Sequence, residues 1–285
     1  MKRKVQRILD FPPVRFVADV AEIYFSKQVG RSAAQLAYFM TLTFFPILIC
    51  LSAFVGRLDL TMTSLLDELR HLLPEGVFII FRDYLGYLDS NLSTPMFFAG
   101  IFLAVLFASA AIRGLMSIMR EIYGRANFSG IWQIVASVLF SILLLITVYL
   151  SMAVVVTGNW FFHLLGNLLD LNDLVERVGA WQWMKYFLLL AIVFLFILLL
   201  YRFVAPLKKP RPAVIPGAFL ASVALAAASV IFSYIMSRST RYSLVYGSLT
   251  SVIIMLVWLY LCGNILVLGN VVNYVIDCRK QHKRT

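Results

Sequence analysis

The amino-acid sequence predicts an all-α polytopic membrane protein. It has six transmembrane helices, with amphipathic interfacial helices at the N-terminus and in the first outer loop. Two observations predict this fold class. Of the 285 residues, 61% are hydrophobic and only 14% are charged. In a typical soluble domain, ~45–50% of the residues are apolar and ~25% are charged. Long apolar stretches also alternate with short segments that hold nearly all of the charge. We expect helices because a segment in lipid must satisfy its own backbone hydrogen bonds.

Six segments are long enough to cross the hydrocarbon core, which takes about 20 apolar residues per helix. None contains Asp or Glu; the only Arg is Arg202, at the end of the fourth segment, and the only Lys is Lys185, at its margin. A membrane barrel would show alternating units of ~10 residues, which these segments lack. The predicted spans are Ala33–Val55, Met96–Ile112, Trp132–Gly158, Met184–Val204, Val214–Met236 and Leu249–Ile276.

The spans divide the chain into three parts. Residues 1–32 form an N-terminal segment with an interfacial helix, residues 33–276 form the transmembrane domain, and residues 277–285 form a basic tail. The helix in the first part is predicted because apolar residues share one face while charged residues occupy the rest of the wheel. The residues of that apolar face are Phe16, Val17, Val20 and Tyr24.

The longest connection holds a predicted pair of amphipathic helices over residues 61–91. A leucine stripe with helical spacing begins after Ser64, and the sequence Pro74-Glu75-Gly76 ends it. A second stripe with the same spacing follows and ends at Asp89-Ser90-Asn91. Two interpretations stay open. The pair rests on the bundle or in the headgroups, or it forms a lid that governs access from outside.

The charge of the loops predicts the orientation. Eighteen of the 25 Lys and Arg residues fall on the side of the two termini, and the net charges of the two sides are +13 and −2. Cytoplasmic loops carry the excess of Lys and Arg, so both termini are predicted in the cytoplasm of a bacterial cell with the chain in the inner membrane. The basic side is expected to contact anionic lipid headgroups. Nucleic-acid binding is not predicted, because no recognition motif accompanies the basic residues.

Small residues cluster in the second and fifth spans, around Ala99–Gly114 and Gly217–Ala228. Small side chains let membrane helices approach closely. Packing within the chain is the first interpretation of these stripes, and a homo-oligomer interface is the second.

Uncharged polar residues lie in the first and last spans and are candidates for the lining of a polar cavity open to the cytoplasm. The alternative is hydrogen bonding between helices, because buried amides need partners. Pro46 removes a backbone donor from the first span and predicts a helix kink. The candidate lining residues are Gln35, Tyr38, Thr41, Asn264, Asn270 and Asn273.

Arg238 and Arg241 flank the turn between the fifth and sixth spans. They are candidate contacts for anionic headgroups or loop carboxylates. The other interpretation is that they attract an anionic substrate at the outer mouth.

No catalytic set emerges from the sequence. The three histidines, His71, His163 and His282, lie in different segments, and no spacing of His, Cys and carboxylates predicts a metal site. We therefore expect neither an enzyme nor a cofactor. Because no carboxylate lies at mid-depth, a proton- or sodium-coupled pump of the usual Asp/Glu type is disfavoured.

Three stretches together resemble the bacterial YihY/BrkB family of inner-membrane proteins. They are Ser32–Pro46, Gly114–Gly124 and Tyr246–Asn273, and their order and spacing match from about residue 15 to residue 277. One departure is Glu121, where the family pattern has an Asn before the Tyr-Gly pair. The resemblance implies six helices with both termini inside, and it implies little chemistry. Family labels include virulence factor, ribonuclease and transporter.

Two hypotheses of function follow. The first is a transporter, exporter or facilitator for an anionic or amphiphilic solute, lipid included. The second is a non-transporting envelope scaffold that binds partners through its outer helices. A cavity lined by Gln35, Tyr38, Asn270 and Asn273 would favour transport, whereas a centre filled by side chains would favour the scaffold.

Overall fold

A computed structural model describes residues 12–57, 75–91, 93–124, 130–169, 180–205, 213–237 and 249–282, with positions 66 and 70. Every regular element in these ranges is an α-helix. The helices are α1 (Pro12–Ser26), α2 (Val29–Arg57), α3 (Glu75–Asn91), α4 (Thr94–Ile122), α5 (Gly130–Leu169), α6 (Ala180–Val204), α7 (Ile215–Ser237) and α8 (Thr250–His282).

The prediction of six transmembrane helices is confirmed. Each predicted span matches one helix that is long and apolar enough to cross a membrane, and the fifth and sixth spans start one residue before their helices, so the chain is a multi-pass membrane protein. The six segments of these helices that meet the criterion are Val29–Ala53, Thr94–Ile122, Gly130–Val154, Met184–Val204, Ile215–Ile235 and Thr250–Gln281.

The six long helices form a ring in which each packs against its two neighbours, in the order α2, α4, α5, α6, α7, α8 and back to α2. The helices α4 and α8 also meet across the ring. The middle is filled by buried side chains that include Met116, Tyr201 and Val271, each fully enclosed. We call the end of the ring that carries α1 the terminal end.

The helix α4 is longer than the second predicted span. The predicted span ends at Ile112, whereas α4 continues through Arg113 to Ile122. A helix of 29 residues is about 43 Å long at 1.5 Å per residue, which exceeds the ~30 Å hydrocarbon core. The charged last turns of α4 therefore project to the level of the headgroups.

A helix, α1, is present where the N-terminal interfacial helix is predicted, and its apolar residues divide between two faces. Phe16, Val20 and Tyr24 pack against the bundle, whereas Val17 is 66% exposed. In the outer loop, the second predicted helix is present as α3, which buries Phe81 and its neighbours against α2. Most of the first predicted helix of that pair lies outside the described residues.

Candidate functional site

Asn273 of α8 caps the first turn of α7. Its Oδ1 accepts a hydrogen bond from the backbone N–H of Gly217 at 2.7 Å, and its Nδ2 donates to the carbonyl of Val214 at 3.1 Å. The first N–H groups of a helix have no acceptor within the helix, and a polar side chain just before the helix usually supplies one. Val214 offers no such atom, so Asn273 supplies the cap from another helix.

Asn270 contacts the last turn of α4 in a similar way. Its Nδ2 donates to the carbonyl of Met119 at 3.4 Å, one of the last four carbonyls of α4, which lack intrahelical donors. The Asn270 side chain is fully buried, and among the described residues its Oδ1 has no hydrogen-bond partner. Close by, the hydroxyl of Tyr201 donates to the carbonyl of Leu266. These amides therefore join helix ends within the bundle.

The backbones of α7 and α8 approach very closely between these polar contacts. A Cβ atom on Gly217 would lie 2.1 Å from the carbonyl oxygen of Gly269, and one on Gly269 would lie 2.5 Å from the Tyr201 hydroxyl. Only glycine fits at either position. In the part of the chain that the structure describes, backbone contact and buried side chains thus fill the centre of the ring.

Among the described residues, a groove of about 480 Å³ lies on the seam between α2 and α4, near the terminal end. This volume falls within the ~300–1,000 Å³ typical of ligand pockets. Residues at i, i+3 and i+7 of α2 face a stripe at i, i+3, i+4, i+7, i+8 and i+11 of α4, so each helix presents one side to the groove. The lining residues are Ser32, Gln35, Phe39, Ala110, Arg113, Gly114, Ser117, Ile118 and Glu121.

Gly114 keeps the groove open at its middle. A Cβ atom on Gly114 would meet the Gln35 side chain at 3.7 Å, which is an ordinary contact distance. An alanine is therefore tolerated at this position, whereas a large side chain would occupy the groove.

The groove carries a cation at its middle and an ion pair at its terminal rim. Arg113 lines it, and none of the ion pairs among the described residues includes Arg113. At the rim, the carboxylate of Glu121 lies 3.6 Å from the ammonium group of Lys27. Ser117 accepts a hydrogen bond from Gln133 Nε2 at 2.8 Å. The groove therefore offers positive charge and hydroxyl and amide groups in one place.

Beyond the groove, exposed apolar and aromatic side chains follow α2 and α4 toward their middles. Tyr38, one turn deeper in α2 than Gln35, is 58% exposed, and Leu106 of α4 is 46% exposed. The Thr41 hydroxyl does not enter the groove, because it donates to the carbonyl of Ala37 at 2.8 Å. A polar part near the terminal end and an apolar part nearer the middle of the two helices thus share one surface.

The structure does not gather the predicted lining residues into one cavity. Gln35 lines the groove and Tyr38 lies on the outer surface, whereas Asn270 and Asn273 are enclosed between helices. Asn264 accepts a hydrogen bond from the Tyr24 hydroxyl at 2.8 Å, away from the other two amides.

The predicted helix kink and the predicted outer arginines are considered next. Pro46 is buried inside a continuous α2, so the kink stays a prediction. Arg238 and Arg241 lie outside the described residues. Four further lining residues were not predicted from the sequence: Ser32, Arg113, Ser117 and Glu121. The signal available was the spacing of the last three, which repeats at i, i+4 and i+8 and places them on one face of a helix.

The helix α1 is fastened to the end of α8 beside the groove. The guanidinium of Arg279 donates to the carboxylate of Asp19 at 2.6 and 3.2 Å, and it lies 5.2 Å from the Phe16 ring centre. On the same helix, burial raises the pKa of Tyr24, with a further contribution from neighbouring Tyr260. Because Lys27 follows directly on α1, this attachment helps to hold one wall of the groove rim.

The part of the chain that the structure describes contains no group of three or more His, Cys, Asp or Glu residues able to hold a metal ion. The described cysteines are free, and Cys278 is exposed near the terminal end. The groove is therefore the described cavity that combines charge, polar groups and access.

Comparison with known proteins gives one family and several relatives. The family model described as Virulence factor BrkB matches residues 21–285. A ribonuclease-like protein, YfkH, of Bacillus subtilis (strain 168) is 26% identical over 269 residues, which cover 93% of this chain and 96% of that protein. A UPF0761 membrane protein of Coxiella burnetii (strain Dugway 5J108-111) is 30% identical over 119 residues, 40% of this chain and 43% of the relative. No solved structure matches the chain.

Proposed function

The chain belongs to the BrkB family of multi-pass bacterial membrane proteins, and from this premise we propose that it facilitates the movement of an amphiphilic solute, lipid included, across the inner membrane. The observation that carries the proposal is the groove between α2 and α4. It is polar at headgroup depth, around Arg113, and apolar below, beside Tyr38.

The filled centre of the ring bears on the class of solute that the chain would move. A soluble ion needs a polar path through the bundle, but Tyr201, Asn270 and Asn273 fill the middle at 0% exposure. An amphiphile needs no such path, because its headgroup can follow a surface groove while its acyl chains stay in lipid. The geometry therefore supports an amphiphile more strongly than a small anion.

Reconstitution tests the proposed function. Liposomes carrying the wild-type chain are compared with protein-free liposomes for the transbilayer movement of a fluorescent phospholipid, measured by quenching of the outer leaflet. A Gly114→Phe variant fills the groove, and Gly86→Phe is the matched control because nothing lies within 4 Å of a Cβ at that position. We expect faster movement with wild type and Gly86→Phe, and a loss with Gly114→Phe. Movement no faster than in protein-free liposomes would refute the proposal.

We also propose that both termini face the cytoplasm, which the +13 against −2 charge division supports. The native Cys278 offers a direct test because it is exposed beside the terminal end, whereas Cys50 is buried. A membrane-impermeant maleimide is expected to label Cys278 only after spheroplasts are permeabilised. Labelling of intact spheroplasts at Cys278 would reverse the orientation.

A second candidate function is a non-transporting scaffold. It is favoured by the filled centre and by the exposed aromatic surface of α3, where Tyr87 is 56% exposed. Affinity capture in mild detergent that repeatedly returns one stoichiometric partner, lost on Tyr87→Ser, would favour the scaffold. Under the transport proposal the captured partners do not depend on Tyr87.

The proposal includes no catalytic step. The term ribonuclease-like is part of the name of the Bacillus subtilis relative and describes that protein. The absence of a catalytic motif in the sequence supports a non-enzymatic role for this chain. Incubating the purified chain with RNA checks this point: we expect no cleavage above that of a mock preparation, and cleavage that copurifies with the folded chain would contradict it.

A further inference from the structure

We propose that the groove between α2 and α4 binds the phosphate group of an amphiphile's headgroup, with Arg113 as the anchoring side chain. This inference rests on the proposed function, because it names the chemical group that the same groove recognises. It concerns binding, which is measured without any movement across a membrane.

Arg113 is a cation in the groove lining that forms no ion pair among the described residues. The nearest acid in the lining is Glu121, eight positions along α4 and therefore about 12 Å away along the helix axis. The carboxylate of Glu121 already lies 3.6 Å from Lys27. A guanidinium group matches two oxygens of a phosphate with parallel N–H donors. A phosphate at Arg113 would therefore meet a positive charge that no carboxylate of the described groove lining neutralises.

Neutral donors stand on both walls around Arg113. Ser32 and Gln35 face the groove from α2, and Ser117 faces it from α4. The oxygen of Ser117 accepts from Gln133 Nε2 at 2.8 Å, so its own hydroxyl hydrogen can point to a ligand. A phosphate has further oxygens beyond the two that an arginine holds, and these hydroxyl and amide groups can donate to them.

The depth profile of the groove selects an amphiphile over a free ion. Toward the middle of the bilayer the lining changes to Phe39 and Ala110. Beyond the groove, the exposed side chains of Tyr38 and Leu106 continue the apolar surface. A phosphate at the level of Arg113 would therefore place an attached acyl chain against apolar side chains. A soluble phosphate gains nothing from this second half of the surface.

Binding of a fluorescent short-chain phosphatidylglycerol to the purified full-length chain in non-ionic detergent tests the inference. We expect Arg113→Gln to raise the Kd about tenfold, the loss typical of a charge-assisted hydrogen-bonded contact. Arg113→Lys keeps the charge but loses the paired donors, so its Kd is expected to lie between those of wild type and Arg113→Gln. Arg15→Gln is the matched control, because Arg15 is exposed on α1 and outside the lining. Its Kd is expected to equal that of wild type.

Three competitors distinguish the sources of the phosphate. Unlabelled short-chain phosphatidylglycerol is expected to displace the probe, whereas diacylglycerol with the same chains and inorganic phosphate are expected to compete far less well. Equal competition by diacylglycerol would overturn phosphate recognition. Equal competition by inorganic phosphate would overturn the amphiphile as ligand. An unchanged Kd in Arg113→Gln would overturn the role of Arg113.

The same samples distinguish misfolding from lost binding, and lost binding from lost lipid movement. Each variant is accepted only if its elution profile and unfolding temperature match wild type, and Arg113→Lys replaces Arg113→Gln if the latter does not fold. Binding with no lipid movement in liposomes would refute the proposed function and leave this inference standing. Movement that persists in a variant with lost binding would show that the groove is not on the path, and it would refute the link between them.

Discussion

Replacing Asn273 by alanine removes the cap that α8 supplies to α7. The contacts of Asn273 determine how much the free energy of unfolding is expected to fall. The backbone N–H of Gly217 loses its acceptor at 2.7 Å in a site where Asn273 is fully buried. Val214 still receives the backbone N–H of Ala218 at 3.2 Å, so its carbonyl keeps one partner. The cost is therefore that of one buried donor left unpaired, about 1–3 kcal/mol.

This value exceeds the average for hydrogen bonds between membrane helices, which is only ~0.6 kcal/mol because side chains often find other partners. The N–H of Gly217 has no intrahelical acceptor in the first turn of α7, so no other partner within the helix replaces Asn273. Asn264→Ala is the matched control. Asn264 lies in the same helix, where its Nδ2 bonds to its own helix at Tyr260 and its Oδ1 accepts one hydrogen bond from the Tyr24 hydroxyl of α1. We expect its loss to cost no more than the ~0.6 kcal/mol average.

The assay is reversible unfolding of the purified chain in mixed micelles with increasing SDS, followed by tryptophan fluorescence. We expect the free energy of unfolding to fall clearly more for Asn273→Ala than for Asn264→Ala. Hydrogen exchange in the first turn of α7 is expected to accelerate only in Asn273→Ala. Equal losses in the two variants, with unchanged exchange at Gly217, would refute the capping argument.

The close approach of α7 and α8 predicts that Gly217→Ala lowers the yield and thermal stability of the detergent-purified chain. Its Cβ would lie 2.1 Å from the Gly269 carbonyl. Gly86→Ala, with open space around it, is expected to be neutral or stabilising by up to ~1 kcal/mol, and equal stability of the two variants would contradict the packing. The Arg279–Asp19 pair predicts that Arg279→Gln and Asp19→Asn each loosen α1 and speed limited trypsin cleavage after Lys27. The pair is more than one-third exposed, so global stability is expected to change by no more than about 1 kcal/mol. Unchanged cleavage in both variants would argue against this attachment of α1.

The six spans were predictable because apolar runs without charge have few other uses in a protein. The end of α4 was not predictable, because Arg113 and Glu121 resemble loop residues when only hydropathy is considered. Their place in a helix that projects beyond the hydrocarbon depends on the packing of α4 against α2 and α8, which the sequence of α4 alone does not contain.

The polar residues show the same division. The sequence places Asn270 and Asn273 near one stripe of the last span, and burial of both is consistent with the interpretation of hydrogen bonding between helices. Their partners could not be predicted, because Met119 and Gly217 become partners only where helix ends meet. Gln35 was identified as a candidate lining residue, but Arg113 on the opposite wall was missed because the pairing of α2 with α4 was unknown.

A density map of the full-length chain in nanodiscs of phosphatidylglycerol and phosphatidylethanolamine tests the central claim most directly. The account predicts a lipid in the groove, with its phosphate within hydrogen-bond distance of the Arg113 guanidinium and an acyl chain along Tyr38. It also predicts no lipid between Asn270 and Asn273 in the closed centre. A groove that contains only water or protein side chains, with ordered lipid elsewhere on the bundle, would contradict it.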